Sequence, residues 1–314
     1  MATTTSEMTP AAPAVTANGL TKAWRWFFNR GRGDSPFKTV LIHTALIVAC
    51  IIAVYPILRV ITISLRPNDT LLTTSLRIIP EGATLDNYKE VLFGNAAKNR
   101  DSDFFLWIWN SFSITITTSI IATILAAVAA YAFSRFKFPG RGTGLVFLLT
   151  TQMIPAGMLL LPIFIMLANL KLINTPLGLI IAYSVSSVPL TIWTIKGFYD
   201  TIPVDLEEAA RIDGASHLGA FTRIILPLST PALAIAFLFS FTGGWSEYLV
   251  ARVVLQQNQS FTWPLGIFTF ASQFTVEWGH FAAASVMIAI PTMLLFLYSS
   301  KYLISGLTLG GVKG

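Results

Sequence analysis

The chain has 314 residues, 54% of them hydrophobic and only 11% charged, with a formal net charge of +6. Soluble domains carry about 25% charged residues, and a single globular core of this size cannot hide so much apolar surface. The composition therefore excludes a soluble enzyme, a disordered protein and a collagen-like fibre, and predicts an integral membrane protein.

In chain order, residues 1–36 form an N-terminal segment. Its first 20 residues, rich in Ala, Thr and Pro, read as a disordered tail. Lys22 to Arg30 mix aromatic and basic side chains, which suits a short helix in the headgroup layer. Residues 37–314 contain six apolar runs, at 38–64, 107–133, 144–168, 177–199, 229–251 and 281–304. Each is long enough to cross a hydrocarbon core of about 30 Å. Each must be helical, because lipid offers backbone groups no partner. The expected fold is thus all-α, with six transmembrane helices. Pro56, Pro155, Pro162, Pro189 and Pro291 interrupt these runs and predict kinks.

The Lys and Arg residues are scattered in ones and twos, with no block suited to nucleic acid. They concentrate in the N-terminal segment, the 134–143 and 200–228 loops and the C-terminal tail, which places both termini in the cytoplasm. The one cysteine, Cys50, lies in the first apolar run, so no intrachain disulfide forms. A signal peptide does not fit an apolar run so long and so far from the N-terminus.

Ion-coupled transporters keep ionisable groups near the bilayer midplane. Here the spans hold few, with His43, Glu247 and Arg252 lying toward helix ends. The three histidines are far apart in sequence and no metal-ligand spacing occurs. No phosphate loop or catalytic constellation is found either. The chain is expected to bear no catalytic residue, metal or cofactor of its own, and transport energy must come from elsewhere. Hydroxyl and amide side chains are plentiful in the second and third spans, from Asn110 to Ser119 and at Gln152. Such groups serve polyol binding or interhelical hydrogen bonding.

The most informative segment lies in the 200–228 loop, from Asp205 to Pro227. It predicts two short helices, the first capped by Asp205 with Glu208 in a capping box. Gly214 ends that helix in a left-handed conformation, and Ser216 caps the second. Leu206, Ala209, Ala210 and Ile212 form a small apolar face flanked by charge, suited to a groove on another protein.

Glu208-Ala209-Ala210, then Gly214, then Ile224, Leu226 and Pro227 match E-A-A-x3-G-x9-I-x-L-P at every fixed position. This segment resembles the EAA loop of ABC-importer permeases. Ala130 to Gly140, Trp278 to Ala284 and Gly306 to Gly314 are similar to the carbohydrate-uptake branch of that family. Leu106 to Ser111 and Trp193 to Gly197 resemble the G-type subunit of maltose/maltodextrin permeases.

The resemblance implies a type I importer permease fold in the bacterial cytoplasmic (inner) membrane. It implies four kinds of partner: an F-type second permease, a dimer of ATPase subunits holding ATP and Mg, an extracytoplasmic sugar-binding protein and the lipid bilayer. By the resemblance Glu207, Glu208, Ala209, Ala210, Asp213, Gly214, Ile224, Leu226 and Pro227 couple to the ATPase. Within the tail 305–314, Gly310, Gly311, Val312, Lys313 and Gly314 project into the ATPase dimer. Gln256, Gln257, Asn258, Gln259, Ser260 and Thr262 form a scoop entering the binding protein. The sugar site itself is implied to lie mainly on the partner permease. Maltose or maltodextrin is the expected cargo. Trehalose, another disaccharide or a glycerol-phosphate compound remain open, with an ion-coupled secondary transporter or a membrane enzyme further off.

Overall fold

The computed structural model describes residues 35–67, 77–95, 101–271 and 275–310, with side chains as far as Ser300. The expectations for the N-terminal tail, its Lys22–Arg30 segment and Gly311–Gly314 lie outside the described residues. Among those residues no β-strand occurs, as an all-α membrane fold requires. The chain divides into one unit ending at Arg59 and another beginning at Val60. Helix α1, Pro36–Ser64, runs through that boundary and contains Pro56. It is apolar on every face, as a helix surrounded by lipid is.

The second unit continues with α2 (Asp86–Phe93) and the 32-residue α3 (Phe104–Arg135). Next come α4 (Arg141–Thr151), α5 (Ala156–Asn169) and α6 (Pro176–Tyr199). Two short helices, α7 (Asp205–Ile212) and α8 (His217–Leu228), lead into α9 (Thr230–Trp245). The chain ends with α10 (Leu249–Val254), α11 (Trp263–Ile267) and α12 (Trp278–Gly310). Helix α3 is the centre of the unit and packs on α6 and α9, while α9 also packs on α12.

Lipid is as apolar as leucine, so burial alone does not hold membrane helices together. Close approach does, and α3 permits it through Ala122, Ala126 and Ala130, all fully buried along one face. Tryptophan N–H groups add directed contacts. Trp245 Nε1 donates to the Ile288 carbonyl at 2.9 Å, and Trp193 Nε1 to that of Leu145 at 3.3 Å. At Gly266 a Cβ would stand 2.2 Å from the Trp107 ring, so only glycine lets α11 lie on that indole.

Among the described residues four helices are long and apolar enough to cross a membrane unbroken: α1, α3, α6 and Trp278–Ser300 of α12. The third expected span is not one kinked helix. Helices α4 and α5 meet at 99° across Gln152–Pro155. Pro155 has no N–H to continue α4 and biases Ile154 away from helical geometry, so the helix ends instead of bending.

The fifth expected span, 229–251, is also divided. Helix α9 stops at Trp245, and α10 starts at Leu249. Glu247 causes the restart, because its Oε1 accepts from Val250 N at 2.8 Å and its Oε2 from Ala251 N at 3.1 Å. On its other side α9 meets α8 at 75°, next to Pro227 and Pro231.

Candidate functional site

The EAA segment folds as the two short helices that its sequence predicts, with one difference at the start. The N-cap of α7 is Val204, not Asp205, and no side-chain cap bond forms, so the capping box is absent. Asp205, Glu207 and Glu208 occupy the first turn instead, where negative charge favours the positive end of the helix dipole. Gly214 has φ +88°, and Ala215 N donates to the Ala210 carbonyl at 2.9 Å while Gly214 N donates to Arg211 at 3.1 Å. That pair of bonds is a Schellman stop, which needs a left-handed residue at the glycine. Ser216 caps α8, its Oγ accepting from Gly219 N at 3.1 Å.

Glu207 and Glu208 have opposite surroundings. Glu207 is buried: Arg135 Nε donates to its Oε1 and Tyr131 hydroxyl to its Oε2 at 2.7 Å. Arg135 Nη2 also donates to the Ile202 carbonyl at 3.0 Å. The Tyr131 ring lies 4.6 Å from Phe221 of α8, and the segment Phe221–Ile225 is a π-turn. Thus both short helices are bolted to the last turn of α3. Just before α7, Asp200 accepts from Lys196 Nζ at 2.5 Å and from Ser134 Oγ at 2.7 Å. Burial pushes the Asp200 carboxyl up, but the Lys196 and Ser134 bonds and the Arg141 charge outweigh it and hold it below the ordinary value.

Glu208, Ala209, Arg211, Ile212, Asp213 and Gly214 all face outward, with Ile212 87% exposed. Of the remaining residues expected at this surface, Ala210, Ile224 and Leu226 are half-buried and Pro227 is exposed. The arrangement is a rigidly mounted knob with an apolar, acid-edged tip. Sequence reasoning had no means to find Tyr131, Arg135 or Asp200 as its mounting. Arg135 and Glu207 are 72 residues apart, and the only local hint is that Tyr131 and Arg135 share a helix face at i, i+4.

The expected scoop residues form a pinned loop between α10 and α11. Asn174, at φ +60°, accepts through Oδ1 from Gln256 N at 2.5 Å and Gln257 N at 3.1 Å. Trp107 Nε1 donates to the Asn258 carbonyl at 2.9 Å, and Asn110 Nδ2 to those of Gln259 and Phe261 at 2.9 and 3.0 Å. Asn258 Nδ2 donates to Asp103. The Gln256, Gln257, Asn258 and Gln259 side chains are exposed, Ser260 is half-buried and Thr262 is buried. Of the expected tail residues, Gly310 ends α12, and Gly311–Gly314 lie outside the described residues.

The described residues thus form an all-helical fold with unbroken and broken apolar spans and a mounted knob, the architecture of a polytopic membrane protein. Residues 101–304 match the family of binding-protein-dependent transport system inner membrane components, and the chain belongs to that family. It is 37% identical over 290 residues to the maltose/maltodextrin transport system permease MalG of Salmonella typhimurium, covering 88% of this chain and 96% of that one. It is also 37% identical over 265 residues to the galactooligosaccharides transport system permease GanQ of Bacillus subtilis, covering 84% and 92%. In fold it resembles a bacterial ABC transporter chain involved in importing the acidic polysaccharide alginate, at TM-score 0.71 and 22% identity. That match covers 87% of this chain and 98% of the other.

Proposed function

We propose that the chain is one permease subunit of an ATP-driven, binding-protein-dependent importer of neutral oligosaccharides. Similarity to both maltodextrin and galactooligosaccharide permeases supports gluco- and galacto-oligosaccharides as the cargo, with maltodextrin first. A second permease completes the path, a pair of ATPase subunits binds ATP and Mg, and an extracytoplasmic binding protein delivers the sugar. Both termini and the α7–α8 knob then lie on the cytoplasmic side.

The observation that carries this reading is the division of labour at Glu207 and Glu208. A carboxylate tied to Arg135 and Tyr131 fixes the knob to α3, while its neighbour and Ala209 point outward. A knob so mounted transmits displacement instead of absorbing it. Closure of the ATPase pair on ATP pushes α7, and the Glu207 anchor carries the push into α3 and hence α6 and α9. Moving a two-state transporter from 1:99 to 99:1 takes about 5.5 kcal/mol of differential binding, which ATP on the partner subunits supplies.

Glu208→Lys and Gly214→Asp test this in the assembled transporter. Both variants insert normally, lose sugar uptake and release the ATPase on purification. Full uptake by both contradicts the coupling role.

A further inference from the structure

At the end of α3 opposite the knob, α2 lies as a strap between the last residues of α1 and the start of α12. Its first turn is tied to α1 by neutral groups. Asn87 Nδ2 donates to the carbonyls of Ser64 and Arg66, both at 2.9 Å, and the Ser64 and Tyr88 hydroxyls are 2.7 Å apart. Asn87 also sets the distance to α12. A Cβ on Gly279 would stand 2.6 Å from its amide nitrogen, so the amide lies against bare backbone.

The next turn of α2 carries a different kind of tie. His280 of α12 is buried, with its side chain 4% exposed. Its Nε2 lies 2.9 Å from Glu90 Oε2 on α2, and its Nδ1 lies 3.3 Å from Oε2 of Glu277, just before α12. The Phe270 ring stacks on the imidazole at 5.7 Å, and Glu277 N donates to the Phe270 carbonyl at 2.9 Å. Ring, acid and stacking partner are thus held together.

Two acids at opposite edges of one imidazole compete, because a neutral ring has a single N–H. With the proton on Nε2 the ring ties α2 to α12. With it on Nδ1 the ring turns to Glu277 and presents a lone pair to Glu90. Only the imidazolium donates to both at once.

The remaining charged groups around this clasp are few. Arg66 is buried at the α1 end of the strap, where its carbonyl accepts from Asn87. Asp86 and Lys89 lie 3.5 Å apart on the exposed face of α2. Glu90 also borders a cavity of about 190 Å³ with Asp101, Asp103 and Asn258 of the pinned loop. Asp103 accepts from Asn258 there. That cavity leaves Glu90, whose side chain is 26% exposed, space to swing away from the ring.

We infer that α2 is a pH-sensitive strap: in mild acid the doubly bonded ring of His280 fastens the Glu90 turn to α12, and at higher pH that turn slackens. Asn87 keeps the first turn of α2 on α1 in both states. In the orientation proposed above, the strap faces outward beside the pinned loop and responds to the external medium. The clasp is built from this chain alone and does not depend on the cargo.

The test is backbone hydrogen exchange in Asp86–Phe93 of the full-length protein, in lipid nanodiscs with the subunits that copurify. It is measured at about pH 5.5 and about pH 8, within or beside the window in which histidine changes charge and above the ordinary carboxylate range near about 4. Rates are corrected for the intrinsic pH dependence of exchange and set against the central turns of α3. In the wild type α2 exchanges about tenfold more slowly at the lower pH, the fold-change of one charge-assisted hydrogen bond. Glu90→Gln bonds to either state of the ring, its amide donating or accepting as required, so exchange at the two pH values agrees within about twofold. Glu277→Gln removes the competing acid and offers Nδ1 an amide donor, so the Nε2 proton stays on Glu90 and exchange is slow at both. Each replacement keeps the shape of the side chain, so neither empties a contact.

Wild-type exchange in α2 that is the same at both pH values overturns the strap. A pH effect of undiminished size in both glutamine variants also overturns it, because its origin then lies outside the clasp.

Discussion

Glu207 and Glu208 are adjacent acids with unlike consequences. Removing one partner of a buried ion pair costs about 3–5 kcal/mol, because the other charge is left uncompensated. Glu207→Ala therefore lowers the melting temperature of the purified protein sharply, since Arg135 remains buried opposite it. Replacing both partners, as Glu207→Leu with Arg135→Met, restores most of that stability, and a thermal-unfolding series checks both statements. Glu208→Lys leaves the unfolding free energy within about 0.5 kcal/mol of wild type, as exposed substitutions do. Asp200 adds a pH dependence whose sign is fixed. Its carboxyl is held below the ordinary value in the folded chain. The contribution of the Lys196 and Ser134 bonds is then fully present above about pH 4 and is lost as pH falls through the lower folded value. A melting-temperature profile from pH 7 to pH 3 falls more steeply in wild type than in Asp200→Asn.

The short elements are precise because their ends are fixed. Helix α7 stops at Gly214 in a conformation that costs an L-residue about 1–2 kcal/mol. Gly214→Ala consequently frays the knob without emptying any contact, since a Cβ there meets nothing within 4 Å. The 256–262 loop is held in the same spirit by Asn174, which satisfies two successive backbone N–H groups. Asn174→Ala leaves both without that acceptor, and limited proteolysis then cuts the loop faster while α3 and α6 stay protected. These features divide by how local they are. The Gly214 stop and Ser216 cap were legible in the sequence because each involves residues within five positions. The Asn174 clasp was not, because its partners lie 82 and 83 residues away. Pro155 was legible as a disturbance, but proline inside membrane helices is tolerated so often that a kink and a full break at 99° look alike in sequence. Glu247 was legible as an acid near a helix end. That it restarts the chain as α10 follows only from where α9 stops.

At the scale of the molecule, the apolar composition announced the membrane, and the unusual 200–228 loop pointed to the family. Apolar runs of about twenty or more residues point to membrane spans, and among the described residues four of the six expected spans are unbroken helices placed within a few residues of expectation, while the other two are divided. Family membership follows from the match over 101–304, and the surfaces at either end of α3 give that membership a mechanical form. Helix α3 touches the outward-facing knob through Arg135 and Tyr131 at one end and the pinned loop through Trp107 and Asn110 at the other. The central claim is that the knob seats on a separate ATPase. The most direct measurement is affinity purification of the tagged chain from its native cell in mild detergent, with the recovered subunits counted. The account predicts a second permease and two ATPase copies for each tagged chain, all lost with Glu208→Lys. The tagged chain recovered alone, intact and monodisperse, contradicts it.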